Sequence, residues 1–164
     1  MTEYHTINHP LRPLFQADSK ILILGSFPSV KTREYGFFYG HPRNRFWPLL
    51  ERIYTVKLST DIEERKAFLL QRHIALYDVI YQCDIIGSSD ATIQNVIPSD
   101  LSPVFKEAEI KQVFCNGGTA YRYYQEYQER KTGLKALQLP STSPANARYS
   151  MDHLYDQWKI IREY

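Results

Sequence analysis

Residues Ile21 to Pro48 read ILILGSFPSVKTREYGFFYGHPRNRFWP. Lys20 is followed by Ile21, Leu22, Ile23 and Leu24, a continuous apolar run without alternation, the pattern of a strand covered on both faces. Gly25 ends the run and permits a tight turn, while Pro28 fixes its own φ and keeps Ser29 from continuing as strand. Crevices outside the carboxyl ends of strands in open α/β sheets are ligand sites. The stretch therefore predicts a strand that delivers the chain to a site.

The loop that follows gathers Arg33, Tyr35, Phe37, Phe38, Tyr39, His41, Arg43, Asn44 and Arg45. Aromatic faces stack on bases, and Arg pairs with phosphate. Taken singly, these residues also have plain structural uses: Phe37 and Phe38 can fill core beneath the loop, Asn44 can cap the next helix, and Arg43 and Arg45 can remain solvated. As a group they favour a binding site.

Downstream, Arg45 to Tyr54 reads as a helix with Phe46, Leu49, Leu50 and Ile53 on one face and Pro48 in its first turn. Thr60 with Glu63 has capping-box spacing for a helix running to about His73. Ile74 to Ile80 predicts a second strand, followed by the polar loop Gly87 to Asp90, and Pro98 to Ala108 a short helix. A third strand, Ile110 to Cys115, enters Asn116, Gly117, Gly118 and Thr119, and a Tyr- and Glu-rich helix follows from Ala120 to about Lys131. A Gly-Gly turn opening a helix can present backbone N–H groups to a phosphate. Lys135 to Leu139 is a fourth strand, and a helix from about Ser150 to Arg162 closes the pattern. Strands alternating with helices indicate a parallel sheet covered on both sides.

Composition fits one compact unit. At 164 residues with 43% hydrophobic residues the chain can bury a single sizeable core, so residues 1–164 are expected to form one domain. A net charge of +2 permits a DNA partner without requiring one. Thirteen Tyr, eight Phe and two Trp serve packing and base stacking equally well. Cys83 and Cys115 are too isolated for a disulfide framework or a zinc site and read as reduced thiols. The N-terminal region carries His5, His9, Pro10 and Pro13 in place of a basic and then apolar leader, and no apolar run has spanning length, so a cytoplasmic protein without membrane contact is expected.

Three motifs in combination, GSFPS from Gly25, FFYGHPRNRFW ending at Trp47 and STSPAN from Ser141, resemble the uracil-DNA glycosylase superfamily, most closely its hypoxanthine-DNA glycosylase branch. The order of elements extends the resemblance over nearly the whole chain. It implies a three-layer α/β/α sandwich with a central four-stranded parallel sheet. It also implies a monofunctional DNA glycosylase that hydrolyses the N-glycosidic bond of a deaminated base, hypoxanthine first, in a DNA partner, without cofactor or metal and as a monomer. No Lys stands out as a Schiff-base nucleophile, so a lyase step is not expected.

In the mismatch-specific uracil glycosylases that the first motif resembles, an Asn that positions water directly precedes the turn's Pro. Here that position is Phe27, whose side chain can shape a pocket but cannot orient a water. The polar role passes to Asn44, which the resemblance marks as the important residue of the hypoxanthine branch; its amide can accept from a water and donate to the base, and helix capping remains its alternative use. The family's stacking aromatic falls at Tyr39. Gly25, Ser26, Phe27, Tyr39 and His41 are the expected base-binding set, although His41 before Pro42 serves loop shape equally well. Arg43, Arg45, Gly117, Gly118, Ser141, Ser143, Pro144 and Asn146 are the expected DNA contacts. Related enzymes carry a bulky wedge in the STSPAN loop, where this chain has Ala145 and Asn146. Asp78 and Asp90 have the chemistry to activate water but read more simply as surface turn residues. Two other readings fit the same residues: a uracil or G:U mismatch glycosylase, disfavoured by Phe27, and a catalytically silent DNA- or nucleotide-binding module.

Overall fold

A computed structural model of the chain describes residues 3–164. In chain order the elements are β1 (His5–Asn8), β2 (Ile21–Gly25), α1 (Val30–Tyr35), α2 (Phe46–Tyr54), α3 (Ile62–Gln71), β3 (Ile74–Asp78), β4 (Ile80–Ile85), β5 (Gln94–Pro98), α4 (Ser102–Glu107), β6 (Gln112–Asn116), α5 (Gly118–Tyr127), α6 (Glu129–Thr132), β7 (Ala136–Leu139) and α7 (Met151–Trp158), with 3-10 turns at Asp90–Thr92 and Lys159–Glu163.

The central sheet has the order β3-β2-β6-β7 with every pair parallel. Every residue of β2 and β3 is buried, which accounts for their unbroken apolar runs. Helices flank this sheet: α3 lies against β3, α5 against β6 and β7, and α2 packs on α7. From β2 the chain steps to β3 on one side and later crosses to β6 on the other. The carboxyl ends of β2 and β6 therefore form a topological switch point, where a crevice opens. Cys83 and Cys115 are free and buried, and burial pushes the Cys115 thiol up to about 12.

The expected four-stranded parallel sheet is present, but it is accompanied by a second, three-stranded antiparallel sheet of order β1-β4-β5. The apolar run Ile74 to Ile80 is not one strand. It ends its parallel pairing at Asp78, and only Val79 separates β3 from β4. Val79 N–H donates to the Gly25 carbonyl at 2.8 Å, and its own carbonyl accepts from Ser99 N–H at 3.0 Å, so this residue changes sheets. Hydrophobicity continues across the bend because Val79 and Ile80 stay buried, and a periodicity reading has no signal for the change of direction.

Other boundaries move for local reasons. The capping residue of α3 is Asp61, which accepts from Glu64 N–H at 2.9 Å, one position beyond the Thr60/Glu63 pairing. The loop after Pro28 holds α1, capped by Ser29 and closed by Gly36 at φ 89°. The expected helix at Pro98 begins later, at Ser102, because Pro98 still belongs to β5. The single helix expected to Lys131 is broken after Tyr127.

Candidate active site

A cavity of about 820 Å³ opens at the carboxyl ends of the parallel strands, within the size range of ligand sites. Gly25 ends β2, Asp78 ends β3, Asn116 ends β6, and the segment after β7 supplies Pro140 to Asn146; all line it. Gly25 is required there by space: a Cβ would lie 2.5 Å from Asp78 Oδ1 and 3.2 Å from Tyr39 Oη.

Phe27 is buried and forms apolar wall, with the His9 ring edge-on to it at 6.0 Å. Tyr39 also lines the cavity. One face of its ring stacks on Phe46 at 4.0 Å, and its backbone sits at φ 55°, a conformation that a bulky residue adopts only under constraint. Its hydroxyl lies near Asp78 and Asn116 but forms no hydrogen bond with either, and burial drives its pKa far upward, so it stays protonated. Phe37 and Phe38 are core: Phe37 stacks on Trp47 at 6.0 Å, and the Phe38 carbonyl accepts from Trp47 Nε1–H at 3.0 Å.

Asn44 lines the cavity and also caps α2. Its Oδ1 accepts from Phe46 N–H at 2.9 Å and from Thr142 Oγ1–H at 2.8 Å. Both lone pairs are thereby committed, which corrects the expectation that this amide accepts from a water; what it retains is the donor capacity of Nδ2. Thr142 is completely buried and is gripped by Asn116, whose Nδ2 donates to its hydroxyl at 3.0 Å and whose Oδ1 accepts its N–H at 3.0 Å. Asn116, Thr142 and Asn44 therefore lock the end of β6, the STSPAN loop and the start of α2 to one another.

The expected DNA contacts divide. Ser141 and Ser143 accept from backbone N–H groups two residues on, at 3.1 Å each, which leaves their hydroxyl protons to donate outward. With Gly118, Pro144 and Asn146 they line the cavity. Gly117 does not: its N–H donates to the Leu139 carbonyl at 2.8 Å, and at φ 97° it turns the chain into α5. Arg45 takes a different role from the expected phosphate contact. Its guanidinium donates to the carbonyls of Tyr149, Asn146 (2.9 Å) and Ser143 (3.4 Å), and so clamps the loop. Arg43 is exposed, and its N–H donates to His41 Nδ1 at 3.0 Å, which makes His41 a brace for this turn as well as a cavity residue.

The two carboxylates are not ordinary turn residues. Asp78 is 4% exposed at the cavity floor, and its Oδ2 accepts from His9 Nε2–H at 2.7 Å. Asp90 stands at the mouth, open to solvent on one side and crowded by protein on the others, and takes the Ser26 hydroxyl at 3.0 and 3.1 Å. Burial, followed by the nearby charge of Asp78, raises its pKa against the opposing hydrogen bond from Ser26. Among the described residues no three His, Cys, Asp or Glu side chains converge as a metal site, and no helix is long and apolar enough to cross a membrane.

The profile of the Uracil DNA glycosylase superfamily matches residues 12–163. The chain belongs to the uracil DNA glycosylase superfamily. Within reach of this superfamily member are a Methanosarcina acetivorans protein named hypoxanthine DNA glycosylase, 32% identical over 146 residues that make up 88% of this chain and 90% of the relative, and a Methanosarcina barkeri protein of the same name, 33% identical over 146 residues, 83% of this chain and 86% of the relative. A solution NMR structure of a Methanosarcina acetivorans protein, described as a candidate uracil DNA glycosylase, superposes with a TM-score of 0.77 at 29% identity, covering 93% of this chain and 94% of that one.

For this superfamily member, motif reading located the loops of the site and missed what lies beneath them. His9 carries no sequence signal, since its nearest functional neighbour is 69 positions away. Thr142 sits inside a quoted motif but shows its role only through its partners. Asp78 has the chemistry of a site residue in the sequence but reads there as a surface turn residue, because the apolar run is expected to continue as one strand to Ile80, whereas β3 ends at Asp78 itself.

Proposed function

We propose that this protein is a DNA glycosylase that removes a deaminated base, hypoxanthine first, by hydrolysis of the N-glycosidic bond. The observation that carries the reading is the cavity at the switch point, with apolar Phe27 where a water-positioning Asn would stand and with the Asn44 amide retaining donor capacity only. The names of the two relatives support hypoxanthine as the base.

An enzyme acting on a base in a duplex must extrude it and hold it by stacking and polar contacts. Phe27 and Tyr39 enclose the extruded base. As the bond from C1′ to the base nitrogen breaks, the electron pair leaves with the base and positive charge builds on the sugar. Asn44 Nδ2–H donates to the departing base, which is worth most in a site closed to water. A water adds its oxygen to C1′ and releases its proton to Asp90, whose raised pKa makes it a better base than an ordinary surface carboxylate. Ser141, Ser143 and the start of α5 at Gly118 hold backbone phosphates, with Pro144, Ala145 and Asn146 facing the gap in the duplex.

Incubation with duplexes containing a single hypoxanthine, uracil or xanthine, followed by alkaline cleavage at abasic sites, tests the reading. Hypoxanthine is expected to be released fastest, and Asn44→Ala to slow release about a hundredfold at a temperature where the variant is still folded, the loss expected of one donor aimed at developing charge. Its melting temperature should be lowered, because the α2 cap and the acceptor of the Thr142 hydroxyl go with the amide. Salt-sensitive binding without product from any duplex would instead mark a silent module.

A further inference from the structure

A second cavity, of about 200 Å³, lies between α4, α6 and the chain leaving β5, and none of its lining residues belongs to the larger cavity. Two of the residues that line it are buried and polar. Ser99 is 2% exposed and is seated by its backbone: its N–H donates to the Val79 carbonyl at 3.0 Å, and its carbonyl accepts from Gln128 Nε2–H at 2.7 Å. The Ser99 Oγ is buried without a hydrogen-bond partner among the described residues. Gln128, 1% exposed at the break between α5 and α6, commits an amide N–H to Ser99, and its Oε1 accepts no hydrogen bond among the described residues. Buried hydroxyls and amides in folded proteins nearly always find partners, so two under-used ones on one cavity point to an occupant.

The rest of the lining says what kind. Leu101 and Phe105 supply apolar surface, and Phe105 is only half-buried. Lys106 on α4 and Lys131 on α6 are exposed, and neither is ion-paired among the described residues. Asp100 is the one carboxylate in the lining. Its Oδ1 accepts from Ser102 N–H at 3.0 Å, and hydrogen bonds from Ser102 chiefly, with the charges of Lys106 and Lys131 adding, hold it below the usual carboxylate range. Its charge is thus engaged at the start of α4, and two lysines against one carboxylate leave the lining net positive.

We propose that this cavity binds a small organic anion. An apolar body lies against Leu101 and Phe105, a phosphate or carboxylate takes the ammonium groups of Lys106 and Lys131, and the Ser99 hydroxyl gains the partner it lacks. Lysine offers only donors and acts as a point charge, which suits either anion. The volume, below the range of drug-sized pockets, limits the ligand to about one ring and its charged group. The site is separate from the excision chemistry and stands whether or not the glycosylase reading does.

Amide chemical shifts of the isotope-labelled protein should be followed as phenyl phosphate, benzoate, inorganic phosphate and benzyl alcohol are added separately. Phenyl phosphate or benzoate is expected to move the amides of Ser99, Gln128 and Lys131 saturably, with half-saturation below about 1 mM; the tighter of the two identifies the anionic group. Inorganic phosphate and benzyl alcohol each carry half of the complementarity and should bind at least about tenfold more weakly. Ser99→Ala removes a hydroxyl that has no partner, so it should melt no lower than wild type while binding about threefold or more weakly. Lys106→Gln combined with Lys131→Gln alters exposed side chains alone; it should keep the wild-type melt and weaken binding at least about tenfold. This double variant decides the matter if Ser99→Ala fails to fold. The proposal is overturned by any of four results: no saturation by either aromatic anion below about 10 mM, shifts confined to the larger cavity, inorganic phosphate binding as tightly as the aromatic anions, or unchanged affinity in the double variant. Unchanged affinity in Ser99→Ala would overturn the part given to its hydroxyl.

Discussion

At the cavity mouth the Asp90 carboxylate is less acidic than an isolated one, because protein crowds it and Asp78 repels its charge. A raised pKa means that the folded protein holds this proton more tightly than the unfolded chain does. Asp90 therefore lowers stability as pH rises from the ordinary carboxylate range through its own pKa, and the deficit is complete at neutral pH. Asp90→Asn should melt at a higher temperature than wild type at pH 7, with the gap closing below about pH 4, where both states are protonated. It should also lose most excision, and wild-type excision should rise with pH through the same titration. A variant that melts no higher at pH 7 would contradict this account. The sequence supplied the residue and its acidity, but the shift arises first from burial and then from Asp78 at the end of β3, twelve positions earlier in the chain.

Between elements, the contact that matters most joins β6, α2 and the segment after β7 through Thr142. Its hydroxyl donates to Asn44 and accepts from Asn116, and its carbonyl accepts Arg45 N–H at 3.0 Å. Thr142→Val keeps the shape and deletes the hydroxyl, leaving the Asn116 amide without its acceptor. A buried donor left unpaired costs about 1–3 kcal/mol, and the freed Asn44 amide should lower excision as well. Thermal melts and single-turnover rates on a hypoxanthine duplex measure the two effects, and unchanged values for both would remove Thr142 from the site's support. STSPAN was legible as a motif, and α2 as an amphipathic helix. That one buried threonine fastens them could not be read, because hydroxyls in loops usually bond locally or to water.

On the scale of the molecule, α7 fastens the site's rim to the core. Trp158 is fully buried, with its ring edge-on to Phe46 at 6.0 Å and its Nε1–H donating to the Pro140 carbonyl at 2.8 Å, at the point where the chain leaves β7 for the cavity. Trp158→Ala should destabilise the protein by about 3–5 kcal/mol, the range for removing a large buried aromatic, read as a shift in denaturant midpoint; a loss under about 1 kcal/mol would show that α7 is dispensable.

Local sequence alone determined the four strands of the parallel sheet to within a few residues, most of the helices that flank them and the loops that carry the chemistry, because buried strands and amphipathic helices need apolar residues at fixed periods and turns need Gly and Pro. Only the tertiary structure decided the rest. The antiparallel sheet is built from short, half-exposed strands with no such period. The pairing of His9 with Asp78, the commitment of Asn44 Oδ1 to Thr142 and Phe46, and the diversion of Arg45 to loop carbonyls join residues far apart in the chain. Hydrogen bonding is a property of distance in space, and a sequence fixes that distance only through the whole fold.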